Sequence, residues 1–344
     1  MLVALPPVPA DVAFPTEMWQ QASPPDRALR RGLPSLIEEA VTEPQPEPES
    51  RTDALLVVHR GRVVAEGYRA GIGPDDQQPS WSMAKSMLHA VVGILVRQGR
   101  LSVAQQVAAP EWAQDGDSRA AITLDQLLHM TSGLRYAEDY VDADVSDVIK
   151  MLFLPGADDT GAFAAAFPLD HAPDTVSNYS SGTSNIISRM IREIVGPHEA
   201  YGRFLRAELF DRIGMASATP KFDKSGNWIA SSFCFCTPRD FAKFGLLYLR
   251  DGVWDGQRLL PEGWVDYGRT PAPAQPTDTD RGYGAHWWLL RDDLGTFYAS
   301  GYLGQYIFLI PALDLIIVRS GETPAERRDH VVARVQRIID CFRD

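Results

Sequence analysis

"PSWSMAKSML", residues 79–88, passes from a polar and aromatic lead into an apolar pattern, and it carries a serine and a lysine three positions apart. Met83, Met87, Ala90, Val91, Ile94 and Leu95 recur at helical spacing and the run stops at Gly99, which predicts a buried helix over 82–98. Ser82 then opens the helix, where backbone N–H groups lack intrahelical partners and can face a developing oxyanion. Lys85 projects from the same face, within reach of the serine oxygen. Burial and the helix N-terminus both disfavour an ammonium, which makes this lysine a better base. A serine hydroxyl is a poor nucleophile without such a neighbour. The S-x-x-K spacing alone is common, with roughly one instance expected by chance in a chain this long. Its place at a helix start is what gives it weight.

Working outward, "ALLVVHRGRVVAEGYR" joins two β-branched runs through Arg60-Gly61, a hairpin signal. From 100 to about 220 the pattern is mainly helical. "ITLDQLLHMTSGL" opens with Thr123 and Gln126 at capping-box spacing, and 184–196 and 199–214 are amphipathic and end in glycine. A helix over 237–252 follows. Strand patterns return in "YGAHWWLL", "GTFYAS", "GQYIFLI" and "LDLIIVRS", and a helix over about 324–342 closes the chain. Strands at both ends with helices between predict an α/β (α+β) fold, an antiparallel sheet flanked by helices with an inserted helical region. The expected division is a proline-rich arm over 1–50, with a short helix at 34–41, and one domain over 51–344. Within it, 51–99 and about 221–344 supply the sheet region and about 100–220 the helical one.

The chain has 344 residues and a net charge of −12, with only five lysines. That balance argues against nucleic acid or an anionic membrane surface as partner, since both call for clustered cations. Three cysteines cannot all pair; Cys234 and Cys236, either side of Phe235, are expected on opposite faces of a strand and so apart. A reducing compartment and a cytoplasmic location are the simpler expectation. The proline-broken N-terminus lacks a basic n-region, and no transmembrane run is visible. Oligomeric state is left open. No H-E-x-x-H and no Cys/His cluster suggests a metal site, no G-x-S-x-G elbow suggests an α/β-hydrolase, and "GIGPDD" lacks the third glycine of a dinucleotide loop.

Two further stretches matter. "NYSSGTSN" (178–185) places Tyr179 ahead of a small-residue turn into a helix, and "YASGYLGQY" (298–306) sets Gly301 in a strand, where glycine marks close backbone approach. S-x-x-K, then Y-x-S, then a K-T-G variant, in this order, resembles the serine β-lactamase/D-alanyl-D-alanine carboxypeptidase superfamily. "LLVVHRGRVVAEGYRAG", "ITLDQLLHMTSGL" and "CTPRDFAKFGLLYLRDG" extend the likeness over about 50–344, to the class C β-lactamase and esterase branch. "EDYVD" (138–142), "HWW" (286–288) and "GQYIFLIP" are most similar to the 6-aminohexanoate-dimer hydrolase type.

The resemblance implies an acyl-enzyme serine hydrolase with no cofactor, acting on a small ester or linear amide. It implies Ser82 as nucleophile, Lys85 as its base, and Tyr179 as the group that protonates the leaving group and later activates water. The backbone N–H groups of Ser82 and Tyr302 are implied as the oxyanion hole. Substrate contacts are implied for Tyr140, Ser181, Ser300 and Gly301, and Trp287 (or its neighbour Trp288) is expected on the acyl pocket. Ala299 stands where the family has the lysine of K-T-G, which binds substrate carboxylates; its loss argues against β-lactams and cell-wall peptides. The rival readings are a β-lactamase or D,D-peptidase, and a non-catalytic penicillin-binding-like protein. His89 and His129 are expected to be structural, and the acidic run "EDYVDADVSD" (138–147) is expected to edge the cleft.

Overall fold

The computed structural model describes residues 2–42 and 50–343. Its spine is a seven-stranded antiparallel sheet. The strands are β1 (Arg51–His59), β2 (Arg62–Tyr68), β3 (Gly282–Tyr283), β4 (Trp288–Leu289), β5 (Phe297–Gly301), β6 (Gln305–Ile310) and β7 (Leu315–Glu322), in the order β2-β1-β7-β6-β5-β4-β3. The N-terminal hairpin and the last strand therefore meet inside the sheet, where β1 pairs with β7 one strand in from the β2 edge. Arg60 and Gly61 both take positive φ, 51° and 76°, the backbone a tight hairpin needs to match strand twist.

Period-2 alternation divides the strand side chains between two layers. Leu56 and Val58, Ile307 and Leu309, and Ile316 and Val318 face one core with the helices α2 (Met83–Arg97) and α5 (Pro238–Leu249). Leu55, Val57, Tyr298, Phe308 and Ile317 face a second core closed by α1 (Leu33–Thr42) and α6 (Arg328–Phe342). Gly245 lets α5 sit close on the sheet: a Cβ there would stand 2.9 Å from Leu309 and 3.0 Å from Ile307. Between β2 and β3 the chain is dominated by helices, among them α3 (Leu124–Leu128), capped by the Thr123–Gln126 box, and α4 (Ser181–Val195). The N-terminal stretch lies along this body. Trp19 is buried with its indole N–H on the Arg239 carbonyl, and Gln21 bridges Val63. The helix expected at 34–41 is α1; most of "EPQPEPES", residues 43–49, lies outside the described residues.

Two expectations are corrected. Cys234 and Cys236 lie on the same face of a short strand, both buried, with sulfurs 3.7 Å apart and both thiols free. Residues i and i+2 share a face in a pleated strand, so the opposite placement was never available. "YGAHWWLL" is not one strand: only Gly282–Tyr283 and Trp288–Leu289 are extended, and His286 between them has φ of +59°. No helix is long and apolar enough to cross a membrane among the described residues.

Candidate active site

Ser82 caps α2 in the αR region and is 8% exposed. Trp81 before it is held at φ +44°, a strained position for a bulky residue and one that presents the next side chain sharply. The turn is braced from behind: the Ser80 hydroxyl donates to the Ser232 carbonyl at 3.2 Å and accepts from the Cys234 N–H at 2.9 Å. The end of β5 presses against it from the front. A Cβ on Gly301 would collide with the Ser80 carbonyl oxygen and stand 3.1 Å from Trp81 Cβ. Gly301 thus has a steric reason, and it brings the following residue, Tyr302, against Trp81 with ring centroids 5.3 Å apart. Gly301→Ala is expected to pry β5 from the nucleophile turn. Turnover of an ester should drop on the order of 10²-fold, a 1 Å misplacement at the reacting groups being worth about that much, while the melting temperature falls by only a few degrees.

Lys85 is 1% exposed, and its amine touches three oxygens: Ser82 Oγ at 2.9 Å, Ser181 Oγ at 2.9 Å and the Ser231 carbonyl at 3.0 Å. Burial lowers its pKa to about 8, opposed by the charge of Glu138. Asn185 of α4 holds the Ser231 segment in place, its carbonyl oxygen accepting from the Ser231 N–H and its amide N–H donating to the Ser231 hydroxyl. Tyr179 enters just before α4, whose N-cap Ser180 accepts from Thr183, while Asn178 Nδ2 donates to the Leu134 and Tyr136 carbonyls. The lysine amine lies 4.8 Å from the Tyr179 ring centroid. Desolvation raises the phenol pKa well above its ordinary value and Glu138 adds to this; a hydrogen bond with Ser82 and the charge of Arg328 oppose it. The structure therefore gathers Ser82, Lys85, Tyr179 and Ser181 at one place.

Aromatic rings form the walls. Tyr140 stacks on Tyr302 at 4.4 Å and 15°, while Tyr179 packs against Trp288 at 5.3 Å and edge-on to Tyr283 at 5.8 Å. Ser300 is half-buried on β5, and Ala299 is 1% exposed on the face that packs against α2. The Beta-lactamase family profile matches residues 37–337.

The chain belongs to the β-lactamase family.

It is 30% identical over 310 residues to the 6-aminohexanoate-dimer hydrolase of Paenarthrobacter ureafaciens, covering 80% of this chain and 74% of that one. A candidate 6-aminohexanoate-dimer hydrolase from Bacillus anthracis superposes with a TM-score of 0.76 at 21% identity, over 99% of this chain and 90% of its own. A family VIII carboxylesterase gives 0.67 at 15% identity, over 93% and 99%. The fold is the β-lactamase/penicillin-binding-protein type, and the protein is a β-lactamase-related serine hydrolase.

Within this family member one expected wall residue is misplaced. Trp287 is fully buried among Phe244, Tyr248 and Phe297, behind the site; Trp288 is the residue beside Tyr179. The positive φ at His286 breaks the alternation, so the inward and outward places exchange. His286 itself is buried and held neutral, its pKa lowered to about 3 by desolvation, with ring nitrogens on the Leu128 carbonyl and the Ser184 hydroxyl. His89 is likewise buried, paired with the Tyr248 hydroxyl and stacked on Trp264.

Sequence reasoning missed Glu138 as an individual residue. Its carboxylate accepts from the Ser181 N–H at 2.7 Å, the Ser181 hydroxyl at 2.6 Å and the Tyr140 hydroxyl at 3.1 Å. The signal was present in "EDYVD": in an extended loop Glu138 and Tyr140, two apart, lean the same way. Ser231 left no comparable mark, because its contact with Lys85 is made by a backbone carbonyl, which has no residue signature; Asn185 acts only through that segment.

Proposed function

We propose that the protein hydrolyses carboxylic esters or linear amides through an acyl-enzyme on Ser82. The observation that carries this is the buried Lys85 amine 2.9 Å from the Ser82 oxygen, with the Tyr179 phenol beside both. Lys85, with a pKa pulled toward neutrality, takes the serine proton as Ser82 attacks the carbonyl. The Ser82 and Tyr302 amides hold the tetrahedral oxyanion, at the junction that Gly301 allows. Tyr179 remains a phenol at neutral pH because its acidity is suppressed, so its part is to give a proton to the departing alcohol or amine. It recovers that proton from Lys85, and water, activated by the same pair, releases the acid.

Aromatic walls from Trp81, Tyr140, Tyr302 and Trp288 suit an extended apolar chain on the substrate. The first relative's name points to linear amides and the carboxylesterase's to esters. With Ala299 buried where a lysine would bind a carboxylate, β-lactam turnover is disfavoured. Nitrocefin hydrolysis is expected at least 10²-fold slower than that of p-nitrophenyl butyrate, the discrimination a lost charge-assisted contact of about 3 kcal/mol gives. A fluorophosphonate probe tests the core of the proposal by intact mass. One adduct should form on the native chain and none on Ser82→Ala; labelling of the variant, or no adduct and no ester turnover by the native protein, would overturn it.

A further inference from the structure

Neutral lysine has two N–H groups and one lone pair, and deprotonation of Ser82 requires the lone pair to face it. Around Lys85 the Ser231 carbonyl can only accept, but a serine hydroxyl can do either. The proton of Ser181 is directed onto Glu138 Oε1 at 2.6 Å, so its oxygen accepts from Lys85. Both N–H groups are thereby consumed, and the lone pair is left toward Ser82.

We propose that Glu138 is a positioning residue that fixes the direction of the hydrogen-bond chain Glu138–Ser181–Lys85–Ser82, keeping the basic face of Lys85 on the nucleophile. This rests on Lys85 acting as the base, and it goes further by making the polarity of that base depend on a carboxylate 43 positions away from its serine partner. A plainer role exists: the carboxylate also satisfies the Ser181 N–H at the start of α4, as a helix cap does. The two roles separate in the isosteric Glu138→Gln. The Ser181 N–H can only donate, so it claims the amide oxygen and the cap survives. The amide NH₂ then faces Ser181 Oγ and donates into it. The hydroxyl proton, displaced, turns toward Lys85 and competes for its lone pair.

E138Q is expected to lower kcat on the order of 10²-fold, the effect of disabling a general base, with KM within about twofold and the melting temperature nearly unchanged. The titratable groups facing Lys85 are Glu138, the Tyr179 phenol and the neutral His286. Removing the one anion among them withdraws the charge that favours the ammonium, so the acid limb of the kcat/KM–pH profile should move to lower pH. Glu138→Asp keeps the charge but draws the oxygen back from Ser181; it should lose kcat with the limb held in place. In a Ser181→Ala background the relay is gone, and adding E138Q should cost less than about threefold. Retention of kcat by E138Q, or an equal cost with and without the Ser181 hydroxyl, would overturn the proposal. Turnover surviving in Ser82→Ala would instead overturn the serine mechanism, so the two failures are distinct.

Discussion

Lys85→Met is expected to cut kcat/KM for p-nitrophenyl butyrate on the order of 10⁴-fold, the upper range for removing a general base from an interdependent pair. The reason is local. The lysine amine is the one basic group within hydrogen-bond range of the Ser82 oxygen among the described contacts, and the nearest alternative, Tyr179, has its acidity suppressed by burial and Glu138. Methionine has similar length and belongs in a site that is 1% exposed, and it removes an amine whose charged form burial already opposes. The variant should therefore fold, with a melting temperature within a few degrees of the native value; a large fall would mean that the amine's three contacts are mainly structural. The native enzyme carries a matching pH signature. Only neutral Lys85 can accept the proton, so below its pKa of about 8 kcat/KM should fall tenfold per unit as the ammonium accumulates, and it should level off above that pH. A flat profile from pH 6 to 9 would contradict Lys85 as base. The same value leaves roughly a tenth of the lysine neutral at pH 7, enough to sustain turnover.

Much of this arrangement was legible where local chemistry and global fold agree. The Arg60-Gly61 turn, the Thr123–Gln126 box and the α2 run each follow from backbone preference or periodicity within a few residues, and each is present. The central strands β1, β6 and β7 are buried on both faces and read as nearly continuous apolar runs. Ser82, Lys85 and Tyr179 were visible because their spacing resembles a family pattern. What was hidden depends on distant backbone. "YGAHWWLL" reads as a strand from its aromatic and apolar content, but Gly284 lies against the Gly268 and Thr270 carbonyls, and the Ala285 and His286 N–H groups turn to Gly268 and Leu128. Those contacts win over the pattern and exchange the two tryptophans. Glu138 was hidden for a related reason: in its own neighbourhood it is one acid among several, and only α4 gives it Ser181. The cysteine pair needed no tertiary information, since pleat geometry alone puts Cys234 and Cys236 together.

Tyr179→Phe should divide substrates by their leaving groups. An amine or alkoxide cannot leave the tetrahedral intermediate without a proton, and the phenol against Ser82 is the donor placed to supply it. Removing the hydroxyl should slow hydrolysis of a linear amide or an unactivated alkyl ester on the order of 10³-fold, about 4 kcal/mol of barrier. p-Nitrophenolate leaves as an anion near neutral pH, so the same variant should lose only about tenfold on p-nitrophenyl butyrate, mostly in deacylation where water must be activated. The ring remains, so its contacts with Trp288 at 5.3 Å and Tyr283 at 5.8 Å should keep the wall intact and KM nearly constant. A pre-steady-state burst of p-nitrophenol should become more pronounced as acyl-enzyme accumulates, and intact mass should show the butyryl adduct on Ser82. Equal losses on activated and unactivated esters would remove Tyr179 from the leaving-group step and leave it a packing residue. That outcome would also weaken the case for amide substrates, because an amine is the leaving group most dependent on a proton from the enzyme.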